Sequence, residues 1–136
     1  KRPTAPNPAN QTQDATQATN SGDALLSAGG GRARLPMNMG TVRGVAFKYG
    51  IKTDDLSIRI NKAIAGRRGS TAPNQCVTLC RGAFENEEQL AKTLVHERVH
   101  VEDLRAGMPY PKGYDAESAA EIRAETMANN WWESLG

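Results

Sequence analysis

Two histidines stand four positions apart, His96 and His100, and Glu97 directly follows the first. On a helix, residues at i and i+4 share a face, with Cβ atoms about 5–6 Å apart. Both imidazoles can then reach one zinc ion at about 2.0–2.1 Å, the usual Zn–N distance. Glu97 flanks the same site, where its carboxylate can hold and deprotonate a water that the metal activates. The five residues HERVH therefore carry the groups of a zinc hydrolase. The competing account is coincidence in a polar helix. The surroundings speak against it, because Leu94, Val95, Val99 and Val101 pack apolar side chains around the polar ones.

Catalytic zinc takes three protein ligands and a water. The third must come from elsewhere, and the stretch DAESAAEIRAETMANNWW offers Glu117, Glu121 and Glu125, spaced i, i+4, i+8 along one helix face. Each like-charged pair costs an isolated helix about 0.2–0.5 kcal/mol. A divalent cation beside the stack reverses that sign. The plain alternative is a solvated acidic face, since Lys112 and Arg123 show that charge is plentiful nearby.

A structural zinc set is the main rival, because Cys76 and Cys80 precede the two histidines and Cys₂His₂ is such a set. Zinc fingers leave roughly 12 residues between the pairs, whereas 15 separate Cys80 from His96. Both cysteines also fall in an apparent strand, QCVTLC, where positions four apart are about 13 Å from each other at the usual rise. That is too far to share a metal or a disulfide, and each is expected as a small buried residue or thiol. A metal-free, catalytically silent domain that binds peptide is the remaining alternative.

The elements that must position these groups read as follows. Val42, Val45, Ala46 and Tyr49 predict a helix over residues 41–50, with Gly50 as its stop. LSIRIN, residues 56–61, alternates like a half-buried strand, and QCVTLC, residues 75–80, reads as a second. The intervening AGRRGSTAPN supplies turn residues, so the two strands are expected to form a β-hairpin, with Arg67 and Arg68 in a solvated turn. Asn86 and Gln89 resemble a capping box for a helix running to Gly107. After the loop MPYPKGY, a last helix is expected from Asp115 to Trp132, with Ala119, Ile122, Met127 and Trp131 as core contacts. The order is helix, hairpin or small antiparallel sheet, then two helices: an α+β fold.

At 136 residues there is room for one small domain. Aromatics make up 5% of the chain, so its core is mostly aliphatic. Residues 1–39 are dominated by Ala, Asn, Gln, Thr, Pro and Gly, too poor in apolar side chains to offset their ordering entropy. They read as a flexible tail or linker, with LPM at residues 35–37 able to lie on the domain of residues 40–136. A first residue of Lys fits a fragment of a longer protein. Seventeen basic against fifteen acidic residues give a net charge of +2, too balanced to suggest a nucleic-acid or membrane partner. No apolar run is long enough to span a bilayer.

HExxH followed by a helix carrying glutamate, then alanine, then an acid resembles the gluzincin metallopeptidases, especially the compact minigluzincins. Their second motif has the form E-x-x-A-[D/N], its first acid being a metal ligand. EIRAE, Glu121 to Glu125, matches it except that glutamate replaces the final Asp or Asn; ESAAE, Glu117 to Glu121, matches equally by letter. The continuation AETMA favours Glu121, which lies 21 residues beyond His100. The resemblance thus implies His96, His100 and Glu121 as zinc ligands and Glu97 as general base. Glu125 would accept a ring N–H from a ligand histidine, and Glu117 and Glu125 stay as alternatives for the third ligand. It also implies peptide pairing with an edge strand, QCVTLC or LSIRIN, and an oxyanion stabiliser for which Tyr110 and Tyr114 are the candidates.

A narrower resemblance rests on YGI, AFENEEQLAKTLVHERVHVEDLRAG and the closing WW. These are similar to metallopeptidase domains at the C-termini of bacterial polymorphic toxins, including Rhs-repeat proteins. The resemblance implies an effector that is secreted or delivered into a target cell. Its partners would be a protein or peptide substrate, a cognate immunity protein and a delivery scaffold.

Overall fold

The computed structural model describes residues 33–109 and 114–136, the second stretch with side chains from residue 119 onward. The chain is α+β: a helix, a small three-stranded mixed sheet, then two long helices. α1 (Met39–Tyr49) opens at Asn38, whose side chain accepts the Thr41 N–H at 2.8 Å. It closes at Gly50, where a left-handed φ of +71° turns the N–H back onto the last carbonyls. Val42, Val45, Ala46 and Tyr49 form its buried face, as their spacing predicts. Ahead of α1, Leu35 and Met37 pack against the core. The N–H groups of Arg34 and Leu35 bond to Phe84 O at 2.7 and 2.8 Å. The LPM segment therefore does lie on the domain; residues 1–32 of the expected tail are outside the described residues.

β1 (Ser57–Ile60), β2 (Gly69–Thr71) and β3 (Cys76–Leu79) form the sheet in the order β1-β3-β2. The two apolar strands do not make the expected hairpin. They pair in parallel, with Ile58 opposite Val77 and Ile60 opposite Leu79. The reason is β2, which lies inside what reads as one long turn. It pairs antiparallel with β3, Ser70 opposite Thr78, and so reverses the chain once more before β3 begins. The true hairpin turn is Ala72–Pro73–Asn74–Gln75, closed by Gln75 N–H on Ala72 O at 2.8 Å. Pro73 takes the second position, where its fixed φ suits the turn. Gly69 is required in β2, because a Cβ there would come 2.7 Å from Thr78 O. With a neighbour on each side, β3 (the QCVTLC strand) cannot serve as an edge; β1 and β2 are the edges.

α2 (Glu87–Arg105) starts at Asn86, whose side chain accepts the Gln89 N–H at 2.8 Å, with Glu87 and Glu88 favoured in the first turn by the helix dipole. Leu90, Ala91, Leu94 and Val101 enter the core beside Val77, Leu79 and Phe84. α3 (Tyr114–Ser134) packs along α2 and closes the fold with Trp132 against Tyr49, ring centroids 5.2 Å apart. Its core contacts differ in part from those expected. Ile122 is 66% exposed, Met127 44% and Ala119 exposed; Trp131, half-buried, does pack against the core, and Ala124, Ala128 and Trp132 are buried. Small residues on the packed face let α3 approach α2 closely, which is what carboxylates on that face need to reach across. No described helix is long and apolar enough to cross a membrane.

Candidate metal centre

His96 and His100 stand one turn apart on α2, their rings edge to face with centroids 5.0 Å apart. α3 brings Glu121 against both. Its Oε1 lies 2.8 Å from His96 Nε2 and its Oε2 3.2 Å from His100 Nε2. Among the described residues this is the one group of His, Cys, Asp and Glu that converges as a metal site would, with ligand atoms within 4.8 Å of one another. A tetrahedral ion with bonds of about 2.0–2.1 Å requires neighbouring ligand atoms about 3.3 Å apart. The contacts to Glu121 are already near that separation. His100 Nε2 is buried and, despite the nearby carboxylate, has no hydrogen-bond partner. Buried polar atoms are seldom left so. Two imidazoles, one carboxylate and one orphaned ring nitrogen fit a zinc ion.

Glu125, one turn beyond Glu121, meets the other edge of His96, with Oε1 2.8 Å from Nδ1. The same oxygen accepts a hydrogen bond from Arg68 Nη2 at 2.7 Å. Arg68 is therefore not in a solvated turn: it reaches from the start of β2 to α3, and its Nη1 also bonds Gln89 Oε1 at 3.4 Å. Thr71, at the end of β2, donates to Glu97 Oε1 at 2.7 Å. Glu97 itself is 4% exposed. A Cβ on Gly69 would come 3.4 Å from Glu97 Oε2, so β2 lies directly against the carboxylate. Arg98, inside the motif but on another face of α2, grips both oxygens of Asp55 at 2.9 Å. Arg105 bonds the same carboxylate at 2.8 Å, pinning the loop before β1 to the helix.

These neighbours set the protonation of the site. Burial pushes the Glu97 carboxyl up, and the Thr71 hydroxyl pulls it back. Burial also opposes charge on His96, but the carboxylates of Glu121 and Glu125 outweigh it and hold the imidazole at about 9. The imidazoles of His100 and His96 keep Glu121 well below the usual carboxylate range. His96 likewise draws Glu125 down to about 2, helped by Arg68 against burial.

Of the residues singled out by sequence, His96, Glu97, His100, Glu121 and Glu125 are thus brought together. Tyr110 lies outside the described residues, as do the side chains of Tyr114 and Glu117. Cys76 is half-buried and Cys80 buried, both as free thiols, and neither joins the group around the histidines. The sequence gives no sign of Thr71 and suggests only a solvated turn for Arg68. Both fall in RRGST, where glycine and serine obscure a three-residue strand, and no spacing rule links them to a motif 25 residues on.

No known protein family, curated protein or solved structure matches the chain.

Proposed function

We propose that this domain is a zinc-dependent metallopeptidase in which His96, His100 and Glu121 hold the ion and Glu97 is the general base. The observation that carries the reading is the position of Glu97. A carboxylate 4% exposed, anchored by a hydroxyl, stands one residue from a histidine whose ring converges with two further ligand groups. A core has no use for such a group, whereas a hydrolytic site does. Zinc, when bound, supplies Lewis acidity: it lowers the pKa of a water and polarises a carbonyl.

The protein's own part is positioning and proton transfer. Thr71 occupies Glu97 Oε1, so Oε2 takes the proton from the attacking water and returns it to the leaving amine. Burial keeps this carboxyl basic enough to accept that proton. β2 is the edge strand beside Glu97, which makes it the strand with which an extended peptide would pair. In the wider form of this reading, the domain is the effector end of a larger bacterial secreted protein. Its substrate is then a protein of the target cell, and a cognate immunity protein is a partner.

Metal content after dialysis tests the reading, measured on the parent, Glu121→Ala and the double variant Cys76→Ala/Cys80→Ala. One zinc per chain, kept without the cysteines and lost without Glu121, is the expected result. Zinc lost with the cysteines would make the site structural and end the peptidase reading.

A further inference from the structure

Resting on the zinc reading above, we infer that Arg68 is the positioning residue that fixes His96 as a ligand, acting through Glu125. One oxygen, Glu125 Oε1, is shared between Arg68 Nη2 at 2.7 Å and His96 Nδ1 at 2.8 Å. A guanidinium can only donate. Oε1 is therefore held as an acceptor, and Nδ1 of His96 carries the hydrogen. The other nitrogen, Nε2, faces Glu121 and is the one whose lone pair a metal takes.

Glu125 alone would not hold this arrangement. Its side chain is 35% exposed, so rotamers pointing into water compete with the one that meets His96. Arg68 selects among them, and it is itself well anchored. Its carbonyl accepts the Cys80 N–H at 2.8 Å, its Nη1 reaches Gln89, and its side chain is 21% exposed. One guanidinium thus ties the start of β2 to both ligand helices. Gly69, where a Cβ would come 2.7 Å from Thr78 O, keeps the strand that follows Arg68 tight against β3.

Two effects of opposite sign are in play. The positive charge of Arg68 disfavours a nearby cation, whereas its hold on Glu125 and the His96 ring favours one. Glu125 neutralises the charge at contact distance, so positioning dominates, and losing Arg68 weakens zinc binding.

Competition against a chelator of known zinc affinity reads this directly, with thermal melting of the same variants as the control for folding. Arg68→Ala is expected to bind zinc about tenfold more weakly, the low end for partners outside the ligand set. Arg68→Lys should recover most of that, since one N–H donor to Oε1 is what the geometry uses. In a Glu125→Ala background Arg68→Ala should add little, because the two act as one unit. Affinity that is unchanged or tightened by Arg68→Ala, a loss that lysine does not recover, or additive losses would each overturn the inference. Should the alanine variant not fold, Arg68→Met, which keeps the length of the side chain but has no donor, is read in the same way. A parent chain that binds no zinc removes the peptidase reading and this one together. A parent that binds it as tightly as Arg68→Ala removes this one alone.

Discussion

Thr71 Oγ1 donates a hydrogen bond of 2.7 Å to Glu97 Oε1 and so joins the last residue of β2 to the buried carboxylate of α2. Leaving a buried acceptor without its donor costs about 1–3 kcal/mol, and more when the group is charged. Thr71→Val keeps the shape and removes the hydroxyl. It is expected to lower kcat about tenfold, the scale of one such hydrogen bond, while KM and zinc content stay at parental values. Because the hydroxyl lowers the Glu97 pKa, its loss also moves the acid limb of the pH–rate profile upward. Thr71→Ser should restore both. A valine variant with parental kcat and an unmoved acid limb would show that Thr71 only packs.

Glu97→Gln separates chemistry from metal binding. The amide has nearly the same size and cannot take up a proton, so zinc should stay at parental content. Peptide cleavage should fall by about 10²–10⁴-fold, the usual contribution of a general base. His100→Ala is expected to lose both zinc and cleavage. Following hydrolysis of a peptide mixture by mass spectrometry makes the comparison without knowing the natural substrate. Equal rates from Glu97→Gln and the parent would remove Glu97 from the mechanism.

Much of this arrangement was legible in the sequence because helices write their contacts at fixed spacing. Val42, Val45, Ala46 and Tyr49 announce α1, Asn86 announces the start of α2, and Glu121 and Glu125 stand on the α3 face that meets the histidines. The strands were harder. Register and direction depend on which segments meet, and Gly69–Thr71 has neither the length nor the β-branched content to stand out. The parallel pairing of β1 with β3 follows from β2, so missing the short strand inverted the sheet's expected topology. α3 misled for a different reason. Ile122 and Met127 point outward, and its packed face is built of Ala124, Ala128 and Trp132.

That last difference has a measurable consequence in urea. Trp132→Ala is expected to cost about 3–5 kcal/mol, as for other buried aromatic truncations. Ala128→Leu should cost about 1–3 kcal/mol by overfilling the contact of α3 with the rest of the fold. Ile122→Ser, at a position 66% exposed, should stay within about 0.5 kcal/mol of the parent. If Ile122→Ser unfolded the chain more readily than Trp132→Ala, the helix would have to be rotated about its axis.

The protonation of His96 gives the fourth expectation, and its sign can be worked out. The carboxylates of Glu121 and Glu125 raise this imidazole from its ordinary 6.5 to about 9. A raised value means that the charged ring stabilises the metal-free fold fully below pH 6.5, and that this contribution fades as the pH rises through 9. The melting temperature of the metal-free chain should therefore fall across that window. Zinc requires the neutral ring, so at pH 7 its binding has to displace the proton that His96 still holds. Calorimetric titration in phosphate and in Tris, whose ionisation enthalpies differ, counts the protons released. About one per zinc is expected at pH 7, falling as the pH approaches 9, while the apparent zinc affinity rises over the same range. A count near zero at pH 7 would mean that His96 is already neutral beside two carboxylates, and the electrostatic account of the site would fail.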